Sequence, residues 1–217
     1  MPNLCAVSHP RSGTHWILKT IYDNLKSPYG WYFEIFATHH LDISLVRKTR
    51  PNAKILNLSR DIQPVLMSVF RMRERNGISI EFDDFSEFLR TKYKDMPRTD
   101  KKTTEILWHG RPKQEKAVSW IGNQDFTPPD LWLASNKYWG EHADHTVTYE
   151  QMQENENDII QIAQHITGWA RKGEVSHKDT VGWKPKNNDP FPVLQEDQIY
   201  LDSFRQEFIK WKEATNE

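Results

Sequence analysis

A chain of 217 residues that sets 29 Lys and Arg against 30 Asp and Glu carries a formal net charge of -1. That balance exerts no global pull on nucleic acid or an anionic membrane, so any anion site must be local. The length suits one domain with a sizeable core, and with 12% aromatic residues, nine of them Trp, that core is expected to pack large rings. The single cysteine, Cys5, excludes an intramolecular disulfide and fits a reducing compartment; within an apolar run it reads as a buried, inert thiol. No basic leader precedes that run, and no stretch approaches the roughly 18 apolar residues of a membrane span. The expectation is a cytoplasmic protein, without internal repeats or low-complexity tracts.

In chain order, Leu4-Val7 reads as a strand and Thr14-Leu25 as an amphipathic helix. Trp31-Phe36 ("WYFEIF") is aromatic and β-branched and reads as a second strand. Ser44-Thr49 is a short helix stopped by Pro51, and Ala53-Ser59 ("AKILNLS") a third strand. Asp61 caps a helix with Pro64 in its first turn, running to about Asn76 with Gly77 as its stop. Phe85-Leu89, Ala117-Gly122 and Leu131-Trp139 are further helix pieces, and Lys92-Pro129 is a polar, loop-rich insertion. His145-Glu150 ("HTVTYE") is a fourth strand; Glu156-Ile166, ended by Gly168, and Glu196-Trp211 are amphipathic helices.

Strands alternating with helices indicate parallel β-α units, and such sheets gather ligands at the carboxyl ends of their strands. Four segments follow the strands: "SHPRSGTHW", "ATHHLD", "RDIQPVLMS" and "YEQM". The first has the make-up of an anion cradle. Gly13 admits close approach to backbone N-H groups, Ser12 and Thr14 add hydroxyls, Arg11 adds charge, and the helix start supplies a dipole. It is not a Walker A loop, because GxxxxGK[ST] is absent. The plainer reading is an ordinary strand-to-helix turn. Trp16 is either core or a ring able to stack on a base. Arg60 ends the third strand and Ser68 follows eight residues later, a pair suited to a second phosphate. Arg71, Arg73 and Arg75 read as a solvated basic face. Glu141, His142 and His145 ("EHADH") lack the spacing of a strong zinc site, and no metal is assigned.

With these motifs in place the chain resembles the sulfotransferases. "SHPRSGTHW" is similar to their 5′-phosphosulfate loop, commonly Pro-Lys-Ser-Gly-Thr-Thr-Trp. "KILNLSRDIQPVLMSVF" is similar to their 3′-phosphate segment, with Arg60 and Ser68 at the family's spacing. "HHLDISLVRKTRPNAKILNLSRD" follows the order of their catalytic histidine, a short helix and that strand. "VTYEQMQENENDIIQIAQHITGW" is similar to their Tyr-Glu-Asp strand and following helix, and "VGWKP" to the Gly-x-Trp-Lys end of their last loop. The likeness covers about residues 3-75 and 145-215 and leaves 92-144 outside it.

The resemblance implies a single-domain, three-layer α/β fold with a central parallel sheet, like that of the P-loop NTPases. It implies sulfuryl transfer from 3′-phosphoadenylyl sulfate (PAPS) to a small-molecule hydroxyl or amine, without metal, nucleic acid or membrane. His40, chosen by its His-Leu pattern over His39 on the opposite face, is the implied general base. Arg11, Ser12, Gly13, Thr14 and His15 would hold the phosphosulfate, Arg60 and Ser68 the 3′-phosphate, and Trp16 would lie near the adenine with Tyr149 shaping the site. The sequence departs from the family at Arg11, His15 and Thr38, and its closing loop is compressed. Either Arg171-Lys172-Gly173 or His177-Lys178 supplies the remaining 3′-phosphate clamp. The acceptor pocket falls to the segment with Trp108, Trp120, Trp132, Tyr138 and Trp139, rings equally suited to the core. Two rival readings remain: a small-molecule or nucleoside kinase on a P-loop-like scaffold, and a non-catalytic nucleotide-binding protein.

Overall fold

The computed structural model describes residues 4–9, 12–26, 35–38, 41–72, 82, 84–96, 125–173 and 192–215. In chain order its elements are β1 (Leu4–Ser8), α1 (Thr14–Asn24), β2 (Leu25–Lys26), β3 (Ile35–Thr38), α2 (Ile43–Thr49), β4 (Lys54–Ser59), α3 (Ile62–Met72) and α4 (Phe85–Arg90). A 3-10 turn (Tyr93–Asp95), α5 (Pro128–His142), β5 (His145–Thr148), α6 (Tyr149–Glu154), α7 (Glu156–Thr167), β6 (Ala170–Arg171) and α8 (Gln195–Thr215) follow. The chain divides into two compact units, Met1–Arg60 with Tyr138–Pro192, and Asp61–Lys137 with Val193–Glu217.

The first unit is built on a four-stranded sheet of order β3-β1-β4-β5, parallel throughout. β1 is buried along its whole length and β4 from Ile55 onward, as a parallel sheet covered on two sides requires. Alternation sends Leu4, Ala6, Leu56, Leu58 and Val147 to one face, where Ile17 and Ile21 of α1 and Ile159, Ile160 and Ala163 of α7 pack on them. Cys5, Val7 and Ile55 face the other way, against Val46 and Ile43 of α2 and Tyr138 and Trp139 in the last turns of α5. Helices, sheet and helices make the three layers expected. Burial raises the Cys5 thiol well above its ordinary pKa, so it stays protonated and unreactive.

Local chemistry sets the ends of these elements. Asp42 caps α2 by accepting from the Ser44 amide at 2.8 Å, and Gly168 ends α7 in the left-handed region at φ 70°. Asp144, just before β5, accepts from the Ile55 amide and from Lys54 Nζ, each at 2.8 Å, while its own amide donates to the Ile55 carbonyl at 2.9 Å. One carboxylate thus pins the entry of β5 to the start of β4. Two features were not legible beforehand. The dipeptides Leu25–Lys26 and Ala170–Arg171 pair antiparallel, and the expected strand His145-Glu150 stops at Thr148. Tyr149 instead opens α6 behind a capping box, Thr148 with Gln151.

The second unit is helical among its described residues. Phe70 of α3 meets Phe85 and Phe88 of α4 with ring centroids 5.3 and 5.4 Å apart, and Trp132 of α5 meets Phe208 of α8 at 5.3 Å. Asp197 is buried in α8, where Arg90 Nη1 donates to it at 2.5 Å and the Ser86 hydroxyl also donates. Asp61 caps α3 through the Gln63 amide at 3.1 Å and takes a two-pronged grip from Arg205, at 2.7 and 3.0 Å. The Tyr93 amide donates to the Phe126 carbonyl at 2.9 Å, and Lys92 and Lys94 both pair with Asp125. These links close the base of the polar insertion, whose residues 97–124, with the helix expected over Ala117-Gly122, lie outside the described residues. The insertion ends earlier than expected, because Thr127 and Asp130 cap α5 and Pro128 takes its first turn.

Candidate active site

The register fixes where the site can be. Val7 lies beside Thr38, Ser8 beside Leu58, and Ser59 beside Thr148, so all four strands finish at one edge of the sheet. The chain leaves β1 there and returns into α1 through Ser12 and Gly13. The Ser12 amide donates to the His9 carbonyl at 3.3 Å, and the Thr14 hydroxyl lies 2.6 Å from the Ser8 hydroxyl, tying the two ends of the loop. Gly13 takes φ 100°, and the amides of Trp16 and Ile17 donate to its carbonyl at 2.9 and 3.2 Å. The amino end of α1 has no side-chain cap and no acidic residue in its first turn. A helix start without either offers its dipole and unbonded amides to an anion. Ser12 is 1% exposed, and its hydroxyl has no hydrogen-bond partner among the described residues. A buried hydroxyl in that condition costs stability unless something else satisfies it.

Tyr149, the first residue after β5, is the centre of the cluster. A Cβ built on Gly13 would come within 2.7 Å of Tyr149 Cδ2, so only glycine lets the loop lie on this ring. The Trp16 indole stands edge-on to Tyr149 at 5.2 Å and 68°. Arg60, the first residue after β4, lays its guanidinium 3.9 Å from the ring centroid. Trp16 Nε1 donates to Glu156 Oε1 at 2.7 Å, and the Thr20 hydroxyl donates to the same oxygen at 3.2 Å. Glu156 was not singled out in the sequence. Its partners lie 140 and 136 residues away in the chain, and no local pattern announces the bond.

Of the sequence-predicted site residues, Ser12, Gly13, Thr14, Trp16, Arg60 and Tyr149 are brought together at this edge. Arg11, His39, His40, His177 and Lys178, and the side chain of His15, lie outside the described residues. Ser68 sits on α3, in the second unit. Arg171 and Lys172 sit at the far end of α1. The Lys172 amide donates to the Asn24 carbonyl at 2.9 Å and its Nζ to the Tyr22 carbonyl, while Arg171 donates to Asn157 at 2.7 Å. An eleven-residue helix, roughly 16 Å, separates them from the Gly13 loop.

Trp132 and Trp139 are core residues, at 2% and 0% exposure, and the Tyr138 hydroxyl accepts from the Ile43 amide at 2.8 Å. Trp108 and Trp120 lie outside the described residues. His142 stacks on Tyr138 at 4.3 Å and pairs with its carbonyl. Among the described residues no group of three His, Cys, Asp or Glu side chains is assembled for a metal, and no helix is long and apolar enough to cross a membrane.

No protein-family model and no curated protein matches this sequence. Solved structures are similar to it, two sulfotransferases among them. One is mouse sulfotransferase SULT7A1 complexed with PAP, with a TM-score of 0.50 and 16% identity over 76% of this chain. The likeness spans only 58% of the mouse chain. The other is a sulfotransferase from Alicyclobacillus acidocaldarius, with a TM-score of 0.55 and 11% identity over 99% of this chain and 95% of that one. The resemblance carried by the segments around Gly13 and Arg60 and the architecture of these structures lead to one conclusion: the chain has the α/β sulfotransferase fold.

Proposed function

We propose that this chain transfers a sulfuryl group from PAPS to a hydroxyl or amine of a small-molecule acceptor, its two units forming one catalytic domain. The observation that carries the reading is the pairing of two anion-seeking features around one ring. The Gly13 loop, with its buried Ser12 hydroxyl and uncapped helix, lies on one part of Tyr149, and the Arg60 guanidinium lies over its face. A donor with two separated anionic groups suits that pairing, and when bound it supplies the transferable sulfuryl group.

The roles of the chain's own residues follow from their chemistry. Arg11, the loop amides, Ser12, Thr14 and His15 hold the phosphosulfate and stabilise charge that develops there. Arg60 takes the 3′-phosphate, with the part of Ser68 carried by the family's spacing. Lys178 rather than Lys172 completes that clamp, because Lys172 is committed to the carbonyl end of α1. The Trp16 N-H is committed to Glu156, so what Trp16 offers the adenine is its ring. His40, two residues beyond β3, takes the acceptor's proton. Fixed cations make a metal unnecessary in this scheme.

Thermal shift with adenosine 3′,5′-bisphosphate against ADP and ATP, each with and without magnesium, tests the reading. Ligand at 100 times its dissociation constant adds about 2.7 kcal/mol to a native state that alone binds it. A magnesium-independent shift, largest with the bisphosphate, is expected. An equal or larger shift with ADP that appears only with magnesium would replace this reading by the kinase.

A further inference from the structure

Glu156 has no part in the scheme above, yet its carboxylate reaches into the site's support. It is the first residue of α7 and holds two groups on α1, one helical turn apart, the Trp16 indole and the Thr20 hydroxyl. Trp16 is therefore held twice. Its backbone amide is bonded to the Gly13 carbonyl, and its side chain to Glu156. The same indole meets Tyr149 edge-on, and Tyr149 in turn supports Arg60 and closes on Gly13. Each link is a direct contact within the first unit. A hydrogen bond that ends on a carboxylate is among the stronger ones.

We propose that Glu156 is a positioning residue of the anion site: by holding the Trp16 indole it fixes the Tyr149 ring on which both the Gly13 loop and the Arg60 guanidinium rest. It touches neither donor nor acceptor. The inference rests on the proposed function only for the identity of the ligand, since any anion seated between Gly13 and Arg60 would depend on the same support. A role confined to joining α1 and α7 predicts something different, a loss of stability with affinity unchanged.

Calorimetric titration separates the two, with adenosine 3′,5′-bisphosphate and inorganic sulfate as probes of the full chain. Glu156→Gln keeps an acceptor oxygen for the indole and is expected to bind within about threefold of the parent. Glu156→Leu is expected to bind about tenfold more weakly, the scale of one lost hydrogen bond to a charged group. Trp16→Phe keeps a ring against Tyr149 but removes the N-H, and is expected to lose about as much. The double variant should bind no more weakly than the worse single one, because both substitutions cut one link. Unchanged affinity in a less stable Glu156→Leu protein, or additive losses in the double variant, would overturn the proposal. If Glu156→Leu does not fold, Trp16→Phe decides with inorganic sulfate, which has no adenine for the ring to meet: unchanged sulfate affinity overturns the proposal and a tenfold loss upholds it. A parent that binds sulfate but not the bisphosphate ends the sulfotransferase reading while the variants still test Glu156 with sulfate. A parent that binds neither ends both.

Discussion

The Arg60 guanidinium rests on the face of the Tyr149 ring, 3.9 Å from its centroid. The pairing is a consequence of register: each residue is the first beyond its strand, and the strands end side by side at Ser59 and Thr148. The ring holds the cation in place before any ligand arrives, which lowers the ordering cost of binding. Tyr149→Phe keeps the face and is expected to bind adenosine 3′,5′-bisphosphate like the parent. Tyr149→Leu removes it, and affinity should fall by about 1 kcal/mol, the usual worth of such a contact. A loss in Tyr149→Phe equal to that in Tyr149→Leu would mean that the hydroxyl, and not the ring, does the work.

Gly13 and Gly168 both adopt positive φ, at 100° and 70°, but only Gly13 has a neighbour where a Cβ would go. Gly168→Ala should therefore cost only the left-handed strain, about 1 kcal/mol of stability, and leave ligand binding alone. Gly13→Ala adds a collision with Tyr149 and should cost more, about 2–4 kcal/mol, with loss of bisphosphate binding. Urea unfolding and titration of both variants check this. Equal stability losses would show that the loop can move off the ring at no cost.

Lys172 interacts with two carbonyls in the last turn of α1, where a cation is favoured, and its ammonium also lies 4.4 Å from the Tyr22 ring centroid. Lys172→Ala should lower stability by about 1 kcal/mol without changing bisphosphate affinity. Lys178→Ala should do the reverse, sparing stability and weakening the bisphosphate by about 1.5–3 kcal/mol. The opposite pattern would return the 3′-phosphate clamp to Arg171-Lys172-Gly173.

Asp144 gives the fold an acid-sensitive joint. Partial burial opposes its ionisation, but the hydrogen bonds from Lys54 and the Ile55 amide outweigh that and hold its carboxyl below the usual range. A folded-state pKa below the unfolded one stabilises fully above the unfolded value, near 4, and the gain disappears as pH falls through the folded value. Asp144→Asn should thus be less stable than the parent by a constant margin from about pH 5 to 8, and the margin should shrink below about pH 4. Urea midpoints across that range measure it. A margin that widens on acidification would contradict the assignment.

Much of the fold was legible because its signals are local. The apolar run "LCAV", the alternation in "KILNLS", the acidic cap at Asp61 and the stop at Gly168 each act within a few residues. The strand-to-helix loop through Ser12, Gly13 and Thr14 was legible for the same reason. The fourth strand was expected to run to Glu150 because "HTVTYE" keeps its alternation, while the Thr148–Gln151 box stops it two residues earlier, at Thr148. The short pairing of β2 with β6 carries no periodicity at all. Trp16 was open between core and ligand stacking, and the Glu156 bond that ties it is a long-range contact no window of sequence contains.

Transfer of radiolabelled sulfate from PAPS, at saturating donor, to a panel of phenols, alcohols, amines and sugars tests the central claim most directly. The parent is expected to label at least one acceptor class without added magnesium. His40→Ala should lower that rate by about 10²–10⁴ while its bisphosphate affinity stays within about twofold, because a general base acts on the acceptor's proton and not on the donor. His39→Ala is the matched control and should retain full turnover. Full turnover in both variants on a good acceptor would contradict the histidine mechanism. A parent that binds the bisphosphate and labels nothing across the panel would contradict the claim of transfer itself.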